Sequence, residues 1–152
     1  MNVMIICLFT AQVTSCILCN VLDNQNLDKG VFQMGLKFYK QFFTSKKEVL
    51  DDIEKNGTWP TTFVSGSTDG PPVHWHKDEV QAYIMEGETD FLDAETNKRT
   101  MVSAGDKIIV PMGELHAEGA IKDRVVYILA LPEPRLPEDF LTMFTPEQRT
   151  NQ

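Results

Sequence analysis

The chain contains a dense series of short β-rich segments, and this pattern constrains the fold more than any other. Eight such segments lie between residues 61 and 131, and clusters of turn residues separate them. In order they read TTFV, PVHWH, VQAYIM, TDFL, RTMV, KIIV, LHAE and VVYILAL. Short strands at such spacing are typical of an all-β sandwich or barrel, whereas a parallel sheet would need helices between them. We therefore expect a β-barrel over residues 61–131.

The residues before the barrel carry a helical pattern instead. Between residues 27 and 54 apolar and aromatic side chains recur mostly at spacings of three to four, with Lys and Asp between them. This spacing is typical of one long or two short amphipathic helices. Thr44-Ser45 followed by Glu48 matches the start of a helix with a capping box, so a break is expected near residues 43–46. A helical preface should thus precede the barrel.

A proline-punctuated tail, residues 132–152, follows the barrel. Its apolar residues Phe140, Leu141 and Phe144 form a small cluster, which predicts a short helix docked on the barrel. No internal repeat and no linker divides the chain, and a chain of 152 residues is long enough to bury a sizeable core. We expect residues 26–148 to form one domain.

The charge balance argues against a polyanionic partner. The formal net charge is -8 and the isoelectric point is about 4.8. Nucleic-acid binding needs a concentrated surface of Lys and Arg, because the phosphate backbone is bound mainly through cations. No run of five or more like charges occurs, so the acidity indicates a solvated surface. Nucleic acid is therefore not expected as a partner.

The first residues are apolar and carry no charged side chain until Asp23. All three cysteines lie here, at Cys7, Cys16 and Cys19, so disulfides are not the framework of the fold. The stretch predicts a signal peptide over residues 1–20, hence a secreted protein with no membrane contact after cleavage. A signal anchor, or an N-terminal strand or helix docked on the domain of a cytoplasmic protein, is the alternative. Cleavage after Cys19 would leave a chain without cysteine.

Histidine occurs only three times, and its distribution indicates a metal site. His74 and His76 are one residue apart in a β-like segment, so both imidazoles project from the same face while Trp75 points to the other. His116 follows a strand and a Pro-x-Gly turn, and a hairpin of this kind can return it to the first pair. Imidazole is a suitable ligand for Zn, Cu, Fe and Ni. Three histidines would then share one ion.

With these residues the sequence resembles the cupin superfamily. The family's second motif reads Gly, five residues, Pro-x-Gly, two residues, His, three residues, Asn, and it matches at Gly105, Pro111, Gly113 and His116 but not at Ala120. In the first motif the His-x-His pair and the closing glycine, Gly87, match in spacing. The resemblance implies a single double-stranded β-helix, or jelly-roll barrel, with the α-helical N-terminal segment before it.

The resemblance also implies a metal-binding glutamate in the first motif, but Val80 stands at its position. The neighbours Glu79 and Gln81 would point to the opposite face of the strand, and either could reach the metal only through a bulge that shifts the register. Three readings stay open: Glu79 as a ligand, Gln81 as a ligand, or three histidines with water, substrate or oxygen in the remaining positions. Glu118 shares the phase of His116 and is the candidate acid–base or supporting carboxylate.

The cupin family and the open histidine site together imply a metal-dependent enzyme acting on a small molecule. The first expectation is an oxygen-dependent oxidation of dioxygenase type at Fe(II), with Mn, Ni, Cu or Zn as alternative metals. A non-oxidative isomerase, lyase or decarboxylase is the second reading. A non-catalytic binding or structural cupin is the third. A homodimer is compatible with all three.

Overall fold

The structure is a computed structural model, and it describes residues 35–149. The predicted signal peptide, residues 1–20, and residues 27–34 of the predicted helical preface lie outside the described residues, so secretion stays a prediction. The limits of the domain, 26–148, also stay a prediction. Within the described part of the chain, no helix is long and apolar enough to cross a membrane.

The described residues form eight strands and two helices. In chain order they are β1 Lys37–Tyr39, α1 Lys46–Asn56, β2 Trp59–Ser65, β3 Val80–Glu86, β4 Glu88–Asp93, β5 Lys98–Ser103, β6 Lys107–Val110, β7 His116–Glu118, β8 Val125–Leu131 and α2 Pro146–Arg149.

The strands form two antiparallel sheets. One sheet has five strands in the order β1-β6-β3-β8-β2, and the other has three in the order β5-β4-β7. Because β3 lies at the centre of the larger sheet, both of its edges are paired, with β6 and with β8. The all-β expectation is confirmed, and the two antiparallel sheets agree with the expected jelly-roll barrel. Seven of the eight predicted segments lie in strands, whereas PVHWH forms only isolated bridges at His74 and Trp75.

The N-terminal segment differs from the expected helix in one part. Lys37–Tyr39 is a strand paired with β6 over Lys107 to Ile109, so the prediction of helix is wrong there. The burial alternates from exposed to half-buried to exposed, as it does on a sheet,. The segment is a strand because the edge of β6 provides hydrogen-bond partners, and the spacing of apolar residues gives no sign of these partners. The helix itself begins after Ser45, whose side chain and Glu48 form the expected capping box.

The apolar core lies between the two sheets, and a second cluster lies under α1. The inner face of β3 contributes Val80, Ala82 and Ile84 to the core. Its outer face packs Tyr83 against Val49 and Ile53 of α1. The turn after β3 needs glycine at position 87, where φ is +84° and a Cβ would lie 2.3 Å from the carbonyl oxygen of Arg124,.

Candidate metal centre

The three histidines meet at one point between the sheets. His74 and His116 pair as an antiparallel bridge, with both backbone N–H to O=C distances at 2.9 Å. The ring centroids are 4.4 Å apart for His74 and His116, 4.9 Å for His74 and His76, and 5.1 Å for His76 and His116. The backbone bridge therefore brings the two sequence motifs together, and the alternation of the first segment aims both of its imidazoles at His116.

Each imidazole is oriented through its Nδ1 atom. The Nδ1 atom of His74 lies 2.8 Å from the carbonyl oxygen of Pro72, and that of His116 lies 2.8 Å from the carbonyl oxygen of Glu114. The third, in His76, lies 3.0 Å from the carbonyl oxygen of Thr142 in the C-terminal tail. A carbonyl only accepts, so Nδ1 carries the proton in all three rings. This tautomer leaves each Nε2 lone pair available to a metal.

Glu118 completes a group of four ligand atoms. One carboxylate oxygen lies 3.7 Å from Nε2 of His74 and the other 4.0 Å from Nε2 of His116. All four ligand atoms, including that of His76, lie within 4.8 Å of one another. Ligand atoms bound at about 2.1 Å to a common ion lie roughly 3 to 4 Å apart, so a small contraction would suffice. The cluster could hold a metal ion.

Several buried atoms of this group have no hydrogen-bond partner. They are Nε2 of His74, Nε2 of His116 and Oε2 of Glu118. A buried polar atom without a partner is costly and rare in folded proteins. Here the orphaned atoms are all Lewis bases and converge on one point, which is the condition that a cation would satisfy. The residues present thus fit a divalent metal.

Burial also sets the charge of the imidazoles. The pKa of His76 and that of His116 are lowered to about 4, mainly by desolvation and in part by the neighbouring histidines. Both rings are therefore neutral at neutral pH, and their lone pairs are not blocked by protons.

Of the three open readings, the two that make Glu79 or Gln81 a ligand are corrected, because neither residue reaches the histidines. The pairing of β3 with β6 runs without a register shift through Val80 and Gln81; the irregularity of β3 lies farther on, between Ile84 and Glu86. The amide of Gln81 donates to Glu79 at 3.1 Å, and its oxygen accepts from Asn56 at 3.3 Å. Both residues thus belong to the outer face of the strand.

The fourth group comes from the second motif instead. Glu118 was expected as an acid–base or supporting carboxylate, and the structure places it among the ligand atoms. The signal was present in the sequence, because His116-x-Glu118 repeats the one-residue spacing of His74-x-His76 and strand alternation turns both side chains to one face. The family's motif has its carboxylate after the first histidine pair and gives no ligand role to the position of Glu118.

A cavity of about 310 Å³ adjoins the cluster. Val80, which stands where the family has a glutamate, lines it together with His76, His116 and Glu118. Its other lining residues are Phe63, Ser65, Thr68, Gly70, Pro71, Ala82, Phe91, Val110, Gly119, Ile121, Tyr127, Leu129, Leu141 and Met143. The ligand atoms thus face a mostly apolar chamber rather than bulk water.

Trp75 and Tyr83 lie outside this chamber, as their strand phase predicts. Trp75 stacks on Phe144 with ring centroids 4.8 Å apart, and its indole N–H donates to the carbonyl oxygen of Thr145 at 3.0 Å. Tyr83 donates to Asp52 of α1 at 2.6 Å. Trp75 therefore ties the C-terminal tail to the histidine segment, and the expected docking of that tail is seen in this contact.

Comparisons with known proteins find similarity in structure. No protein-family model matches the chain, and no curated protein sequence matches it. Among solved structures, the polyketide cyclase RemF from Streptomyces resistomycificus is 24% identical over 54% of this chain and 63% of its own, with a TM-score of 0.44. A double-stranded β-helix protein from Klebsiella pneumoniae is 15% identical over 50% of this chain and 67% of its own, with a TM-score of 0.42.

The DMSP lyase DddQ from Ruegeria pomeroyi is 18% identical over 78% of this chain and 55% of its own, with a TM-score of 0.45. The chain thus spans less than two thirds of the length of RemF and of DddQ. These proteins are of cupin type, and the histidine-rich group described above fits a cupin metal site. The resemblance to the cupin superfamily rests on the sequence motifs and on this histidine-rich group.

Proposed function

We propose that this protein is a metal-dependent enzyme in which His74, His76, His116 and Glu118 hold Fe(II) for the oxygen-dependent oxidation of a small molecule. The observation that carries the proposal is the convergence of buried, unpartnered ligand atoms at the wall of a cavity. In a purely structural cluster these buried polar atoms would be expected to form hydrogen bonds with one another or with the backbone.

The donor set supports Fe(II) as the metal. Three imidazoles with one carboxylate offer mixed nitrogen and oxygen ligands, and adding a carboxylate to imidazoles favours Fe(II) or Mn relative to an all-imidazole shell. Four protein ligands would close a tetrahedral zinc site, whereas an octahedral Fe(II) ion would keep positions open for other ligands, as a catalytic site needs.

When bound, the metal would supply a Lewis acid and a template that orients substrate and dioxygen. The chain's own residues would orient the metal ligands and exclude water. The three backbone carbonyls hold the imidazoles in their tautomer, while apolar side chains such as Val80, Ala82 and Phe91 line the chamber and keep bulk water from the reacting groups,.

Metal analysis of the purified protein, with a His116→Ala variant beside it, tests the site. We expect about one transition-metal ion per chain in the wild type. The variant should lose at least about 100-fold in affinity, because removing only a supporting partner of a ligand already costs roughly 10- to 100-fold. Added Fe(II) should raise the melting temperature of the wild type and not that of the variant. A wild type that neither carries a metal nor responds to Fe, Mn, Ni, Cu or Zn would sink the proposal.

An oxygen electrode tests the reaction type. With small phenolics, thiols and carboxylates offered to the Fe(II)-loaded protein, we expect oxygen consumption that His116→Ala abolishes. Turnover under anaerobic conditions would instead assign a non-oxidative isomerase, lyase or decarboxylase. A metal-loaded protein that binds small molecules without converting any would assign a binding cupin.

A further inference from the structure

We propose that the cavity takes an uncharged, largely apolar molecule with one oxygen function, and that the Tyr127 hydroxyl donates a hydrogen bond to that oxygen. The inference rests on the proposed function, because the same cavity would be the substrate site. It adds the class of ligand and a residue that selects it.

The walls of the cavity decide the ligand class. Among its lining residues in the described part of the chain, aliphatic and aromatic side chains predominate, Glu118 is the one carboxylate, and neither Lys nor Arg occurs. In the metal-free protein an anionic ligand would therefore lie beside a carboxylate without a side-chain cation to pair with, and burying an unpaired charge is costly. An uncharged apolar molecule would gain the usual free energy of apolar burial instead.

The size of the cavity limits the ligand to a small molecule. Its volume of about 310 Å³ lies at the lower end of the range for small-molecule sites. The aromatic rings of Phe63 and Tyr127 lie against each other, with centroids 6.0 Å apart, so a flat ring could be held against this wall.

Tyr127 is the buried phenol whose hydroxyl lacks a protein partner. It lies on β8 opposite Phe63 and Ile84, its side chain is 4% exposed, and it lines the cavity. Within residues 35–149 its hydroxyl makes no hydrogen bond, whereas Tyr83, which is 0% exposed, donates to Asp52 at 2.6 Å. Buried tyrosine hydroxyls usually have a partner, so a ligand in the cavity is the natural acceptor.

The environment of Tyr127 keeps it a donor. Burial raises the pKa of its phenol above the ordinary value, and the negative charge of Glu118 raises it further. The phenol therefore keeps its proton at neutral pH. Tyr127 and Glu118 line the same cavity.

Three probes of similar shape test the inference on the metal-free full-length protein, so that the result does not depend on the metal. Acetophenone is neutral and carries one carbonyl oxygen, ethylbenzene lacks the oxygen, and benzoate is anionic with as many non-hydrogen atoms as acetophenone. Ligand-observed NMR titration gives their dissociation constants. We expect acetophenone to bind at least about tenfold more tightly than benzoate.

The Tyr127→Phe variant isolates the hydrogen bond. We expect about a tenfold loss of acetophenone affinity, as for one net hydrogen bond, and no change for ethylbenzene. The control is Tyr39→Phe, because Tyr39 is 40% exposed and outside the cavity; it should leave both affinities unchanged. The melting temperature and far-UV circular dichroism of each variant check that it is folded.

Two results would overturn the inference: equal binding of acetophenone and benzoate, or an acetophenone affinity that Tyr127→Phe leaves unchanged. Failure of all three probes to bind would overturn it as well. If the variant does not fold, the wild-type ranking of acetophenone above both ethylbenzene and benzoate decides. Absence of a metal site would contradict the proposed function and leave this outcome intact, whereas a metal-binding protein that prefers benzoate would contradict this inference alone.

Discussion

The two faces of β3 bury polar groups in opposite ways. On the outer face Gln81 and Tyr83 join a network with Asp52 in which the side chains bond to one another. On the inner side of the strand, at the cavity that Val80 lines, the ligand atoms of His74, His116 and Glu118 are buried without hydrogen-bond partners. A satisfied network stabilises a fold, whereas convergent orphaned atoms are expected where a ligand supplies the missing bonds. Burial of polar residues alone would not distinguish the two faces.

The outer network anchors α1 to the sheet. Asp52 accepts hydrogen bonds from Tyr83, at 2.6 Å, and from the ammonium group of Lys107. That ammonium group also lies 5.0 Å from the ring centroids of Tyr83 and Phe42. Lys107 is only 4% exposed, so its charge depends on this carboxylate.

Removing the carboxylate of the outer network should have the largest effect on stability. Asp52→Ala leaves the ammonium group of Lys107 buried without a counter-charge, and we expect a loss of about 3 kcal/mol in the free energy of unfolding, measured by urea denaturation. The neighbouring Asp51→Ala is the matched control, because Asp51 pairs with Lys47 on the surface and should cost less than about 1 kcal/mol. Equal losses in the two variants would refute the role assigned to Asp52.

Replacing one carboxylate on each side of β3 by its amide shows which side of the strand contributes to metal affinity. Glu118→Gln removes the anionic ligand, and we expect the affinity for Fe(II) or Mn to fall by roughly 10- to 100-fold. Glu79→Gln changes a carboxylate of the outer face in the same way and should leave the affinity unchanged. Competition with a chelator gives both values. A loss in Glu79→Gln equal to that in Glu118→Gln would show that the strand register differs from the one described.

The smallest expected effect is a dependence of stability on pH. Burial alone would raise the pKa of Asp52, but hydrogen bonds from Lys107 and Tyr83 outweigh it, and the pKa lies below the ordinary value of 3.8. The contribution of Asp52 is therefore fully present above pH 3.8 and is lost as the pH falls through the lower folded value, because the unfolded chain then binds the proton more readily.

Thermal unfolding of wild type and Asp52→Asn between neutral pH and about pH 3 measures this contribution. The difference between the two proteins should be constant at higher pH and shrink at the acid end. A difference that grows on acidification would mean that Asp52 is not held as a carboxylate by its partners.

Local pattern predicts those parts of the molecule that depend on near neighbours in sequence. Strand alternation places His74 and His76 on one side and Trp75 on the other, and the structure agrees. The capping pair of Ser45 and Glu48 predicts the start of α1. In each case the interaction spans a few residues, so the rules of strand and helix geometry suffice.

Contacts between distant segments were beyond such rules. The strand at Lys37–Tyr39 exists because β6 offers a free edge, and this outweighs a helical spacing of apolar residues. The carbonyl of Thr142 orients His76 from 66 positions away in the chain. Nothing within the tail itself marks that oxygen as part of the site.

The sequence by itself determined the barrel class and the three histidines, because strand periodicity and turn residues are local properties. The resemblance to the cupin family implied the position where a glutamate is missing. The tertiary structure decided which carboxylate replaces it. The pairing of His74 with His116 brings β7 beside the first histidine segment, so Glu118 joins the cluster while Glu79 and Gln81 stay behind the strand. Which side chains meet depends on how segments far apart in sequence are brought together, and only the folded chain establishes that proximity.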